Sequence, residues 1–160
     1  MRYIALLKGI NVGGKKNVKT YIQSGNVIFD YDLIDTIKLA NKIEKKVSET
    51  FGFLIKTIIR TEDELKSIIA NNPFVNEPNI ELDKLHVIFM IDIPDPDTVS
   101  LLDIKKEENE KFIIGSKEIY LYCPNGYGRT KLNNAMFEKK LKTVVTTRNW
   151  KTINNIASII

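Results

Sequence analysis

The sequence predicts an α+β fold in which one plan, β-α-β-β-α-β followed by a helix, occurs twice. Three observations carry that reading. Two strand-like segments, Arg2–Lys8 and Leu85–Ile91, head two halves of similar length. In each half a turn-punctuated pair of short β-rich runs follows, and after it a helix with apolar residues three and four apart. Between the halves lies the polar stretch Val75–Lys84 with Pro78, which sets the expected boundary at subdomains 1–76 and 77–160. At 160 residues the chain is long enough for one substantial core or two small ones.

Each element has its own signal. Arg2–Lys8 alternates as a half-buried strand and runs into the turn residues Gly9 and Gly13-Gly14. Val18–Gln23 and Val27–Tyr31 surround Ser24-Gly25-Asn26, a strong hairpin turn. Asp32 is placed to cap a helix whose apolar positions Leu33, Ile37, Ala40, Ile43, Val47 and Phe51 step by three and four, with Gly52 just past its end. Phe53–Arg60 reads as a strand. Thr61-x-x-Glu64 is a capping box that opens a helix to Asn71, stopped by Pro73. In the second half Leu85–Ile91 is a continuous apolar strand and Pro96–Ile104 a short helix. Lys111–Ile114 and Glu118–Cys123 flank Gly115-Ser116 as a hairpin. Asn133–Leu141 is helical with Met136, Phe137 and Leu141 facing in, Val144–Thr146 is a short β-branched strand, and Arg148–Ile159 is a last helix.

This is a ferredoxin-like plan with one element missing. A parallel crossover from the first strand to the second needs about a dozen residues. The chain offers only Gly13-Gly14-Lys15-Lys16-Asn17. Either the first copy has lost its first helix, or a stretch between Lys16 and Asn17 is missing from the chain as read; the second alternative is favoured.

Charge is distributed unevenly. Residues 1–29 carry a net of +5 and residues 129–151 a net of +6, whereas residues 30–128 carry −7. The basic blocks also hold most of the Gly-, Asn- and Thr-rich segments: GINVGGKK, YIQSGN, NGYGRTKLNN and TTRNW. Brought together, they would form one anion-binding surface. The lysine excess, 20 against four arginines, says less, because it accompanies abundant Asn and Ile. Arg129 and Arg148 lie inside the motif segments and are the more telling pair. One cysteine, Cys123, excludes an internal disulfide and fits a reducing, cytoplasmic setting. Met1–Val12 alternates as a strand rather than as a signal peptide, and no apolar run approaches the roughly 18 residues of a membrane span.

Candidate ligand residues follow from these motifs. Gly9-x-x-x-x-Gly14-Lys15 is one residue short of a phosphate-binding P-loop, since Lys16 stands where a Ser or Thr is needed. A looser role keeps Asn11 and the N–H groups of Gly13 and Gly14 facing an anion beside Lys15. Gln23, Ser24 and Asn26 offer amide and hydroxyl groups, although hairpin formation alone explains the Ser-Gly-Asn turn. No base accompanies Ser24. Arg129 and Lys131 precede a helix whose start holds Asn133, and Tyr127 has a ring able to stack on a base. Arg148 and Asn149 open the next helix, where Trp150 reads as core. His86, inside an apolar strand, reads as structural, and no cluster has metal-ligand spacing.

At GINVGGKK, TYIQSGNVIF, GRTKLNNAMFEKKL and TTRNW, in this order, the chain resembles the bacterial family of domain of unknown function sixteen ninety-seven. The resemblance implies an α+β fold of two related subdomains and no established activity. In that family about twenty residues, including a helix, usually separate the glycine motif from the YIQSGN strand; here they are absent.

The leading expectation is a cytoplasmic protein that binds nucleic acid or a phosphorylated small molecule through a basic face, with no catalysis, metal or membrane association. Lys15, Arg129 or Lys131, and Arg148 are expected to line one surface. A second expectation is an enzyme acting on a nucleotide-like small molecule in a cleft between the subdomains, lined by Asn11, Ser24, Asn26 and Arg148. A third is a structural homo-oligomer. An open stripe of cations favours a polymer, and a closed cleft a small ligand.

Overall fold

Caps, turns and apolar spacing place the elements largely where the sequence predicts them. The computed structural model describes residues 1–8, 19–21 and 25–160. In chain order it shows β1 (Arg2–Leu7), β2 (Lys19–Tyr21), β3 (Asn26–Asp30), α1 (Thr36–Phe51), β4 (Thr57–Thr61) and α2 (Glu62–Ala70). There follow β5 (Leu85–Met90), α3 (Pro96–Ser100), β6 (Lys111–Ile114), β7 (Glu118–Tyr122), α4 (Asn134–Leu141), β8 (Val145–Asn149) and α5 (Trp150–Ala157). Single 3-10 turns cover Leu82–Lys84 and Tyr127–Arg129. The fold is thus mixed α and β, with two antiparallel four-stranded sheets and five α-helices among the described residues. The junction of Lys16 and Asn17 lies outside the described residues.

Two compact units form: Met1–Ser67 with Ile156–Ile160, and Ile68–Asn155. The first sheet has the order β2-β3-β1-β4 and the second β6-β7-β5-β8, so each strand has a counterpart at the same place. The registers match as well. Ile4 lies opposite Arg60 and Ala5 opposite Val27; Val87 lies opposite Arg148 and Ile88 opposite Ile119.

β1 is expected to be half-buried, yet Tyr3, Ile4, Ala5, Leu6 and Leu7 are all buried. Its place between β3 and β4 leaves it no open edge. Tyr3, Ala5 and Leu7 pack with Leu39 and Ala40 of α1. The capping position of α1 also differs. Asp35, rather than Asp32, accepts from Ile37 N and Lys38 N, both at 3.0 Å. Residues before it are pinned outside the helix, because the Tyr3 hydroxyl bonds both the N–H and the carbonyl of Ile34 at 3.1 Å. Leu33 is therefore an exposed loop residue instead of a buried helical one.

Gly52 ends α1 at φ 75°, its N–H bonded to Ser48 O. Phe53 and Leu54 stay exposed, and β4 starts only at Thr57, whose N–H donates to the Glu44 carboxylate at 2.8 Å. The capping box of α2 forms in both directions: Thr61 N to Glu64 Oε2 at 2.7 Å, and Glu64 N to Thr61 Oγ1 at 3.2 Å. In the second unit Ile88, Met90, Ile119, Leu121, Phe137, Leu141 and Val145 make a core to which α3 and its following residues add Val99, Leu102 and Ile104. Phe137 meets Phe112 edge-on at 5.7 Å.

Candidate functional site

The start of α4 is where the second unit gathers polar and cationic groups. Gly126 (φ 90°) turns the chain out of Tyr122-Cys123-Pro124, and a single 3-10 turn carries Tyr127–Arg129. Thr130 Oγ1 then accepts from Leu132 N at 3.0 Å, which fixes the fully buried Leu132 as the anchor of the loop. Asn133 caps α4 by accepting from Met136 N at 3.1 Å. Arg129 and Lys131 are left exposed on either side of the buried Thr130. The short connection after α4 sends β8 back beside it, so Asn149, at the end of β8, lies at this same end of the helix.

A polar chain holds the loop to the sheet. The Tyr127 hydroxyl bonds Thr147 Oγ1 at 3.0 Å, and Thr147 Oγ1 donates to Asn134 Oδ1 at 2.6 Å. The Tyr127 ring stacks on His86, centroids 5.0 Å apart. Its ring face and its hydroxyl therefore have protein partners, in place of the base expected from the sequence. Burial pushes the Tyr127 pKa up, against the lowering pull of its bonds to Thr147 and Asn134. Burial also pushes the His86 pKa down, opposed by the bond from Nδ1 to Lys84 O. Because a carbonyl only accepts, Nδ1 carries the proton in the neutral ring.

Arg148 is buried in the structure, although its sequence position suggests a ligand contact. Its guanidinium donates to Thr146 Oγ1 at 2.9 Å and to Thr147 O at 2.8 Å. Burial lowers its pKa to about 10. Asn149 is exposed, but its Oδ1 accepts from Thr152 N at 2.8 Å and so caps α5. In the first unit Asn26 is buried within β3, opposite Leu6 and Tyr21. Asn11, Gly13, Gly14, Lys15, Gln23 and Ser24 lie outside the described residues.

Sequence reasoning passed over Arg60. It occupies the place on β4 that Arg148 occupies on β8, is buried, and donates to its own preceding carbonyl, Ile59 O, at 2.8 Å. The signal was present: Ile58-Ile59-Arg60-Thr61 and Thr146-Thr147-Arg148-Asn149 are both β-branched pairs, an arginine and a helix cap. The caps act alike, Thr61 accepting from Glu64 N and Asn149 from Thr152 N.

Burial raises the Cys123 thiol to about 11, far from a nucleophilic thiolate. Among the described residues no group of three His, Cys, Asp or Glu is placed to hold a metal ion. No helix among the described residues is long and apolar enough to cross a membrane.

Fold and site together define a small α+β protein with a cation-bearing helix start. The chain belongs to the family described as Protein of unknown function (DUF1697), which matches residues 1–120. It is similar in fold to a solved conserved bacterial protein from Streptococcus pneumoniae, with 22% identity and a TM-score of 0.68 over 99% of this chain and 97% of that one. None of the curated proteins compared matches the chain.

Proposed function

We propose that the protein binds nucleic acid or another phosphorylated ligand, without catalysis, through the basic face formed by residues 129–151. One observation carries this reading. Arg129, Lys131, Lys139, Lys142 and Lys151 are exposed, and among the described residues none of them forms an ion pair. The only acid of the segment, Glu138, accepts from Val145 N. Some lysines elsewhere are paired, as in Lys56–Glu44, Lys66–Glu62 and Lys111–Glu77. Arg129 and Lys131, beside the start of α4, favour phosphate, which accepts from Arg in a fork and from Lys as a point charge.

Two further readings belong with this one. The matching strand orders, the paired Arg60 and Arg148 and the paired caps support a ferredoxin-like duplication in the two units. The single cysteine of the chain, Cys123, is buried, which supports a cytoplasmic setting.

The test is fluorescence anisotropy with single- and double-stranded oligonucleotides over a salt series, beside a thermal-shift screen of nucleotides. The expected result is affinity that falls linearly with log salt. Replacing Arg129 and Lys131 by Ala should flatten the slope by about one unit per lost phosphate contact. Absence of any salt-dependent binding, together with no nucleotide-induced stabilisation, overturns the proposal.

A further inference from the structure

The second sheet ends on an unpaired edge. Every residue of Ile68–Asn155 is described, and within it β6 (Lys111–Ile114) has a single strand neighbour, β7. Ladder bonds fix which backbone groups of β6 point outward. Gly115 N donates to Glu118 O at 2.8 Å, so in the register Ile113↔Tyr120 and Lys111↔Tyr122 the odd-numbered residues bond β7. The far side of β7 obeys the same alternation, with Cys123 N bonded to Lys84 O and Met90 N to Lys117 O. The N–H and C=O groups of Phe112 and Ile114 therefore face away from the sheet, and no hydrogen bond among the described residues reaches them.

We propose that β6 pairs antiparallel with β6 of a second copy of this chain, about a two-fold axis at Ile113, so that the two sheets become one. The inference is independent of the anion-binding proposal.

Parity selects the register. Placing Phe112 opposite Ile114 of the second copy satisfies the outward N–H and C=O groups of both residues in both chains. Ile113 then faces Ile113 of the second copy in a non-hydrogen-bonded pair, Cα atoms about 4.5 Å apart. Its side chain is 46% exposed in the single chain, and this pairing covers it with its own symmetry mate. β6 also lacks the devices that keep edges apart: its register with β7 has no bulge and it holds no proline.

Charge agrees with the same register. Lys111 of one copy stands opposite Gly115 of the other, on the same face of the sheet. Gly115 has no side chain, and the Glu118 carboxylate lies where its Cβ would stand. Glu118 Oε2 accepts from Lys117 N at 3.0 Å, and among the described residues the carboxylate forms no ion pair. Lys111, the one charged residue of β6, is paired with Glu77 of its own chain. The dimer brings a second carboxylate beside its ammonium, and the two-fold axis repeats that contact.

The test is sedimentation equilibrium of the full chain. An edge of four residues is short beside the roughly 800 Å² per partner of a standard interface, so the dimer should be weak. The mass is expected to rise from 18.3 kDa toward twice that value as the protein approaches about 1 mM. Ile113→Lys, an exposed change whose circular dichroism should match the parent, sets like charges opposite each other at the axis. It should weaken the dimer at least about tenfold. Ile113→Cys should cross-link between copies on mild oxidation, about tenfold faster than Leu101→Cys, which is 82% exposed in the same unit. Lys111→Glu should weaken the dimer, and Lys111→Glu combined with Glu118→Lys should restore it. Four results overturn the proposal: a mass of 18.3 kDa throughout; a dimer indifferent to Ile113→Lys; equal cross-linking at the two cysteine variants; or no restoration by the double charge reversal.

Discussion

The face built from Ile88, Met90, Ile119 and Leu121 is covered by α4 and by the segment from α3 to Ile104, whereas the matching face of Ala5, Leu7, Val27 and Phe29 meets α1 and leaves a groove. Strand order, register and helix caps are otherwise alike in the two units. In the second unit that cover comes from the connection between β5 and β6, and its counterpart between β1 and β2 lies outside the described residues. The second cover is a separate contribution. The units also diverge at matching single positions. Where the second unit has His86 under Tyr127, the first has Tyr3 bonded to the backbone of Ile34. Where α1 ends on Gly52, α4 ends on Lys142 at φ 54°.

The largest expected effect tests the covered face against the open one. Phe137→Ala should cost about 3–5 kcal/mol, because the fully buried ring leaves a cavity walled on all sides. Leu39→Ala, at the matching place, should cost only about 2 kcal/mol, since the groove already leaves one side open. Denaturant unfolding, with native-state hydrogen exchange to separate the units, measures both. Equal costs would mean that the groove is filled in solution.

Next come the caps. Asp35→Ala and Asn133→Ala should each cost about 1 kcal/mol, the loss of a side-chain acceptor for helix N–H groups. At the other ends of these helices the signs should be opposite. Gly52→Ala should destabilise by about 1 kcal/mol, and Lys142→Gly should stabilise by about 0.5–1 kcal/mol, because both positions are left-handed and only glycine takes that backbone without a Cβ penalty. Thermal denaturation of the four variants would break the comparison if Lys142→Gly were destabilising.

The smallest effect is on pH dependence and belongs to the second unit, which holds the single histidine. Burial lowers the native pKa of His86 below 6.5. On acidification the unfolded chain therefore takes up the proton first, so stability falls as the pH drops below about 6.5 and levels off under the native pKa. His86→Phe keeps an aromatic partner for Tyr127 and should flatten this part of the profile. A profile unchanged by the substitution would show that His86 titrates as freely in the fold as in the unfolded chain.

Much of the fold was legible because its signals are local. The capping box Thr61–Glu64, the Gly52 ending, the Asp95-Pro96 start of α3 and the 111–122 hairpin each involve hydrogen bonds or dihedrals within a few residues. The site was less legible. Tyr127, Asn133 and Asn149 belong to polar-rich helix starts, as their sequence suggests, but their polar atoms bond protein partners. Arg129 and Lys131 stay exposed beside them.

By itself the sequence determined the order of strands and helices, the capping box of α2 and the Gly52 ending of α1, and the concentration of positive charge in residues 129–151, all of which depend on neighbours in the chain. Tertiary structure decided which side chains are covered. Whether an arginine on a five-residue strand meets water or is buried depends on what packs over that face, and the strand's own residues do not encode it. Arg148 and Arg60 are both buried by that choice, and Asp35 displaced Asp32 as a cap because Tyr3, more than thirty residues away in sequence, ties down Ile34. The groove over Ala5 and Val27 is shaped in the same way: local sequence builds the strands of its floor, and the packing of α1 sets its wall.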